Sequence, residues 1–426
     1  MRTRALALLA IVAAGSLPAQ TEIWTKITAT PGAASLALVL AEISLPVRSD
    51  PEQQAAARTI HDVILADLAG SLFFQLRKPD SGRVLASDPA QVDFAGWGAT
   101  GASVLVAGDL TPASMTLRVY DLISKRLIAS KDYSRSGTDR ALAHRIANEI
   151  IRLLTGEEGV ATTRIVFSLV RGGGRELCTV DQDGLNLQQL TSSGGLKLSP
   201  NWSPDGTRIA YSTYYDNRLI VFGYDLSRGT ASILCDHADM NDAPAWSPDG
   251  DRLAASLSDD DGQEIFIMDA AGRNRRRVTR NHGINTSPRW SPNGQQLAFV
   301  SDRAGSPQIY IINCDGTDQR RLTFVGDYNT TPAWSPRGDL IAYSRRDGGQ
   351  NQLFITDLEG ETSKQVTFSG DNVEPCFSPD GLHIAFISNR SGGRNIWVMN
   401  WDGTDQRQLT TVSGCSAPSW SPPPGR

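Results

Sequence analysis

One short pattern constrains this chain more than anything else in it. Pro-Asn-Trp-Ser-Pro-Asp-Gly ends at Gly206, Pro-Ala-Trp-Ser-Pro-Asp-Gly at Gly250, Pro-Arg-Trp-Ser-Pro-Asn-Gly at Gly294 and Pro-Ala-Trp-Ser-Pro-Arg-Gly at Gly338. Pro-Cys-Phe-Ser-Pro-Asp-Gly follows at Gly381, and Pro-Ser-Trp-Ser-Pro closes the series at Pro422. The aromatic residues stand at 202, 246, 290, 334, 377 and 420, in steps of 44, 44, 44, 43 and 43. A strand-rich repeat of about 40–50 residues marks a β-propeller, with one four-stranded blade per copy.

The third copy shows how a blade is written. Arg289-Trp290-Ser291 is a short inner strand whose indole packs between blades, and Pro292-Asn293-Gly294 is a turn in which Pro presets φ while Asn and Gly accept the left-handed region. Gln296 to Ser301 is an apolar run, Asp302 to Gly305 a turn, Gln308 to Asn313 a third strand, and Asp315-Gly316 a turn into an edge strand over Arg320 to Phe324. The series is offset from its own ends. Arg164 to Leu169 resembles the second strand at Arg208 to Thr213, yet no motif precedes it, and the last motif has no later strands to pair with. The expectation is a six-bladed propeller closed 1+3, its last strand (418–421) completing a blade begun by residues 163–191 and leaving no open edge.

With 426 residues, two domains are expected. Met1 to Gln20 reads as a secretory signal, with Arg2 and Arg4 before an apolar run from Ala5 to Ala14 and cleavage near Ala19/Gln20. Its removal takes the formal charge from −5 to −7, and no basic tract remains, which argues against nucleic-acid binding. Residues 21–28 form an edge strand or a free arm. Leu36 to Ile43 reads as a buried strand, and Asp50-Pro51-Glu52 as a capped helix start leading to Gly70. Phe73 to Leu76, Val104 to Ala107, Met115 to Tyr120 and Leu127 to Tyr133 read as strands of a small mixed sheet. Pro89 to Trp97 suggests a brief helix, and Asp139 to Leu154 an amphipathic one with Leu142, Ile146, Ile150 and Leu153 in line. The plan is therefore a leader over 1–20, a small α/β domain over 21–157 and a propeller over 158–426.

Catalytic signatures are absent from the sequence: there is no Gly-x-Ser-x-Gly, His-Glu-x-x-His, Walker loop, dinucleotide fingerprint or Cys-x-x-Cys. Asp205, Asp249 and Asp380 recur, but each sits in a turn where Asn293 and Arg337 serve equally, so turn chemistry explains them. Gly172-Gly173-Gly174 sits at a strand turn. His61, His144, His237, His282 and His383 are scattered, and the five cysteines (178, 235, 314, 376, 415) read as buried thiols. No cofactor and no metal are expected. Two enzyme readings stand as alternatives: a propeller-domain hydrolase, which needs a second domain, and a sugar-processing enzyme with a channel metal, which needs inward histidines.

The residues entering each inner strand form the candidate binding face. Asn241-Asp242-Ala243, Asn285-Thr286-Ser287 and Asn329-Thr330 share one register with Asn372, suggesting a ring of amides and hydroxyls around the channel mouth. Arg303, Arg345, Arg346, Arg390 and Arg394 stand on the companion loops. A polar ring with arginines suits a protein segment.

These motifs, with Ile150-Ile151-Arg152-Leu153-Leu154-Thr155-Gly156 leading to Thr163-Arg164-Ile165-Val166-Phe167, resemble the TolB family of the Tol–Pal envelope system. The resemblance implies a periplasmic, non-enzymatic scaffold supporting outer-membrane integrity and constriction during division. It implies binding of the lipoprotein Pal at the channel mouth, and through Pal a peripheral association with the outer membrane. It also implies binding of TolA through an N-terminal arm, here Glu22, Ile23, Trp24, Lys26 and Ile27. A monomer is expected. Met240 stands where the family usually has His.

Overall fold

The computed structural model describes residues 35–79, 91–237, 239–259, 262–280 and 283–424. The expected leader (1–20) and arm, with Glu22, Ile23, Trp24, Lys26 and Ile27, lie outside them, as does His282. Two compact units form: Met1–Arg58 with Leu68–Ser134 and Ile150–Gly156, and Thr59–Asp67 with Arg135–Glu149 and Glu157–Arg426.

The first unit is built on a mixed sheet in the order β2-β1-β3-β4-β5, where β1 is Leu36–Leu40, β2 Phe74–Arg77, β3 Val104–Leu110, β4 Ser114–Asp121 and β5 Arg126–Ser134. β1 lies parallel to both β2 and β3, and β3, β4 and β5 run antiparallel. Parallel strands are covered on both faces, which is why β1 is apolar throughout: Leu38, Val39 and Leu40 are all buried. One cluster gathers Val39, Leu105, Ala107 and Tyr120 around Trp97. That indole stands on a short helix, α2, at Phe94–Gly98; the expected start at Pro89 lies outside the described residues.

Two longer helices begin and end as their residues dictate. Helix α1 is Pro51–Gly70: Asp50 caps it by accepting from the Gln53 amide at 2.8 Å, and Pro51 fits the first turn because no amide is needed there. Helix α3 is Asp139–Thr155 and stops at Gly156, whose φ of 77° suits a residue without Cβ and whose amide closes onto the Arg152 carbonyl at 2.9 Å. Leu142, Ile146 and Ile150 are buried as the spacing predicts; Leu153 is only half-buried, and Leu154 takes the inner place.

The second unit is a β-propeller. Sheets of four strands are formed over 197–235, 329–365 and 372–408, each running inner strand to edge strand in chain order. A further four-stranded sheet combines Cys415–Trp420 with Arg164–Arg171, Gly174–Asp181 and Gln188–Gln189. There the chain's last strand pairs antiparallel with the first of the unit, Cys415 opposite Leu169 and Trp420 opposite Ile165. The second and third repeats depart from one sheet per repeat. Gly283–Trp290 begins earlier than the motif suggests, and its start pairs in parallel with Gly262 and Gln263, joining both repeats in one eight-stranded sheet. Glycine permits it: a Cβ on Gly262 would stand 2.9 Å from the Gly283 carbonyl oxygen.

The aromatic of each motif is buried between sheets: Trp246 packs with Ala210 and Val221 of the preceding repeat, and Trp290 with Ala245 and Ala254. Arginine guanidiniums cap the outer faces, Arg208 over Trp246 at 4.5 Å and Arg252 over Trp290 at 4.7 Å. The Ser-Pro-Asp-Gly turns are self-contained. Ser203 Oγ donates to Asp205 and accepts from the Arg208 amide at 2.9 Å, while Asp205 accepts from the Thr207 amide at 3.0 Å. Burial acts to raise the Asp205 carboxyl, and these donors outweigh it and hold the group below the ordinary value. Asn293 accepts from Ser291 Oγ at 2.7 Å in the same place. These carboxylates are turn caps. Gly172 and Gly173, at φ of 57° and 84°, likewise form a two-residue hairpin turn.

Candidate functional site

Chain direction places the candidate face. Each inner strand starts at one end of its sheet and finishes at the Ser-Pro-Asp-Gly turn, so the loops entering inner strands share an end with the hairpins between second and third strands. At this end every inner strand carries a β-bulge three residues before its aromatic. Ser199, Ala243, Ser287, Thr331, Glu374 and Ala417 have φ between 49° and 59°, and the ladder slips beside each of them. A proline follows each one, which a bulge tolerates because the missing amide interrupts no ladder bond. Left-handed backbone costs a residue with Cβ about 1–2 kcal/mol. Six such residues in register mean that packing imposes this geometry.

The asparagines expected as a ring of exposed amides are instead buried. Asn241, Asn285, Asn329 and Asn372 are each 0% exposed, and their amides are spent inside the sheets. Asn285 Nδ2 donates to Glu264 at 3.0 Å, Asn329 Nδ2 to Gln308 at 2.8 Å, Asn372 Nδ2 to Gln352 at 3.0 Å and Asn241 Nδ2 to the Leu219 carbonyl at 2.9 Å. A threonine two residues past the edge strand completes the clasp: Thr323 and Thr367 donate to the same glutamines at 2.8 Å and accept from the Ile309 and Leu353 amides. The first repeat replaces the asparagine by Lys197, which is buried with Glu176, Nζ to Oε2 3.6 Å. Two of the five arginines serve this clasp too, while Arg394 pairs with Glu374 at 3.7 Å and Arg346 lies over Tyr328 at 4.6 Å. Arg303 donates to Asn285 Oδ1 at 2.8 Å while stacked on Tyr310, and Arg390 to Asn372 Oδ1 at 2.7 Å while stacked on Trp397.

What reaches solvent is the residue one position earlier. Met240, Ile284 and Tyr328, each just before its asparagine, are 43, 52 and 36% exposed. Leu196 holds that place in the first repeat, and Phe324 and Phe368 project from the same entry loops. Among the described residues, ten of the thirteen large apolar side chains exposed on the propeller stand at this end of the sheets. Strand alternation hides one residue and shows the next, so the asparagines are spent inside the sheets and their neighbours carry the surface. Asp242, Thr286, Ser287 and Thr330 are part-exposed; Ala243 is buried.

A cavity of about 300 Å³ runs among the inner strands, lined by Trp202, Trp246, Trp290, Trp334, Phe377 and Trp420 with residues beside them. Around it, side chains latch one repeat to the next. Asn201 Oδ1 accepts from the Trp246 amide at 2.8 Å, Cys376 Sγ from the Trp420 amide at 3.2 Å and Ser419 Oγ from the Trp202 amide at 3.3 Å. All five cysteines are free thiols, and burial raises the Cys178 and Cys314 thiols to about 11. Among the described residues no group of three or more His, Cys, Asp or Glu side chains is placed to hold a metal ion.

The TolB beta propeller domain family matches residues 151–423, and the TolB amino-terminal domain family matches residues 40–128. The chain belongs to the TolB family. The Tol-Pal system protein TolB of Polaromonas naphthalenivorans is 31% identical over 207 residues, 47% of this chain and 48% of that protein. The TolB of Aromatoleum aromaticum is 35% identical over 247 residues, 56% of this chain and 55% of that protein. The chain thus spans about half the length of the curated TolB relatives it matches. The crystal structure of TolB from Acinetobacter baumannii superposes over 91% of this chain and 97% of its own, with a TM-score of 0.76 at 26% identity. No helix among the described residues is long and apolar enough to cross a membrane.

Proposed function

We propose that this TolB-family chain is a non-catalytic periplasmic scaffold of the Tol–Pal envelope system, with domains over 21–157 and 158–426 after a leader over 1–20. Its propeller is six-bladed, the joined sheet counting as two blades and the strand Cys415–Trp420 closing the ring. A Pal-like lipoprotein docks at the channel mouth, holding the protein peripherally at the outer membrane and supporting its integrity and constriction. A TolA-like inner-membrane protein binds through residues 21–28.

The observation that carries the docking assignment is the arc of exposed apolar side chains at one end of the propeller. Aliphatic and aromatic residues gathered over rigid sheets, with buried polar clasps beneath, form an anchor surface whose side chains lose little freedom on binding. Asp242, Thr286, Ser287 and Thr330 supply its polar contacts, while Asn241, Asn285, Asn329 and Ala243 hold the loops that present them. The test is capture of the peptidoglycan-associated lipoprotein of the same cell by purified protein carrying Ile284→Arg, with Ile233→Arg on an edge strand as control. Loss of capture with the first and retention with the second is expected; equal capture by both removes the assignment.

A further inference from the structure

The channel wall contains one charge that its surroundings leave unanswered. Before each motif aromatic stands one residue facing its neighbours across the ring: Asn201, Ala245, Arg289, Ala333, Cys376 and Ser419. Asparagine, cysteine and serine use their side chains as latches, and alanine has nothing to offer. Arg289 alone is charged, and it lines the cavity. Its Nη1 donates to the carbonyl of Pro288, its own neighbour, at 2.9 Å, and among the described residues no carboxylate stands within 4.0 Å. A guanidinium has five N–H donors, so four remain for a ligand in the cavity. Burial presses Arg289 below the ordinary arginine value.

The nearest acids do not fill the gap. Glu374 and Asp242 face Arg289 only at longer range. Glu374 already accepts from the Ala417 amide at 2.6 Å and pairs with Arg394 at 3.7 Å, and Asp242 accepts from the Ala243 amide at 2.6 Å. We infer that Arg289 is a carboxylate-binding residue inside the propeller channel, its planar fork taking both oxygens of an acid that enters the cavity. A carboxylate matches two parallel N–H donors, and the tryptophan-lined wall favours an acid carried on an organic stem. A peptide segment presenting a terminal or side-chain carboxylate and a small free carboxylate share this chemistry. Only the peptide source rests on the docking reading above.

Calorimetry and tryptophan fluorescence on the full chain test this with N-acetyl-dialanine as free acid, the same peptide as C-terminal amide, and acetate. The free acid is expected to bind, and the amide roughly tenfold or more weakly, since a charged hydrogen bond is lost. Arg289→Gln should erase that difference, and Arg289→Lys should retain part of it; the lysine variant serves if the glutamine variant does not fold. Competition by acetate would assign the site to free carboxylates, and its failure to compete would assign it to peptides. Equal binding of acid and amide by the wild type, or an unchanged preference in folded Arg289→Gln, overturns the inference. Lipoprotein capture by Ile284→Arg is read separately, so the docking face and the channel site fail independently.

Discussion

His144 Nδ1 stands 2.6 Å from an Asp67 carboxylate oxygen, with the two side chains 6 and 4% exposed. The far nitrogen is 3.5 Å from Asp183, which in turn accepts from Arg140. Burial opposes a charged imidazole, but Asp183 and Asp67 outweigh it and raise His144 to about 9. Asp183 is displaced the other way: burial would raise it, and His144 and Arg140 hold it far below the ordinary carboxyl value. Asp67 remains raised because burial dominates there.

The sign of the pH dependence follows from these directions. A raised histidine contributes fully below its unfolded value of 6.5 and loses that contribution as pH climbs towards about 9. Asp183 contributes above its unfolded value and loses it in acid. Thermal unfolding should therefore show stability falling between pH 6.5 and about 9 in the wild type, and a flatter profile in His144→Gln. That variant should also lose about 3–5 kcal/mol near neutrality, because a buried pair is broken on one side. Identical slopes would show that His144 does not titrate as described.

Asn285→Ala should destabilise the propeller by about 1–3 kcal/mol in urea, since Glu264 and Arg303 each lose a buried partner. Thr286→Ala, next to it and part-exposed, should change stability by under about 0.5 kcal/mol. Equal effects would mean that the clasp does not matter to the fold.

The bulge predicts an unusual order of tolerance at Ala243, whose φ is 51°. Ala243→Gly should be neutral or slightly stabilising, while Ala243→Val should cost about 1–2 kcal/mol, because a β-branched side chain fits left-handed backbone worst. Thr331 occupies the same place in its repeat, and its hydroxyl stands 2.7 Å from Ser344 Oγ. Thermal shift assays on the two Ala243 variants decide it; the reverse order would show that the backbone is not strained.

Trp290 fills the space between two repeats and donates its indole N–H to the Ala245 carbonyl at 2.9 Å. Trp290→Ala should cost about 3–5 kcal/mol, measured by denaturant unfolding. Trp290→Phe, which keeps the ring and loses the donor, should cost clearly less. A mild effect of the alanine variant would refute the wedge role.

Much of this molecule is local and therefore legible in the chain. The period, the Ser-Pro-Asp-Gly turns, the capped start of α1 at Asp50 and the stop of α3 at Gly156 each depend on residues a few positions apart. The same holds for the pairing partners of an orphan last strand, since a missing strand in one repeat and a surplus one elsewhere are visible by counting. Whether a polar residue faces water is different. Asn285 and Ile284 are neighbours of opposite fate, and which one is hidden depends on Glu264 and Arg303, some twenty residues to either side in the chain. Likewise, no local signal separates Arg289 from Asn201, Cys376 or Ser419: that no carboxylate among the described residues pairs with it is set by the residues that other inner strands bring to the same cavity. His144 reads from sequence as one more helix residue, and only the buried Asp67 and the part-exposed Asp183 beside it make it a titrating group. Spacing and turn chemistry determined the architecture because they act within a few residues, and the tertiary fold decided exposure, strain and charge because those depend on neighbours that the chain brings from afar.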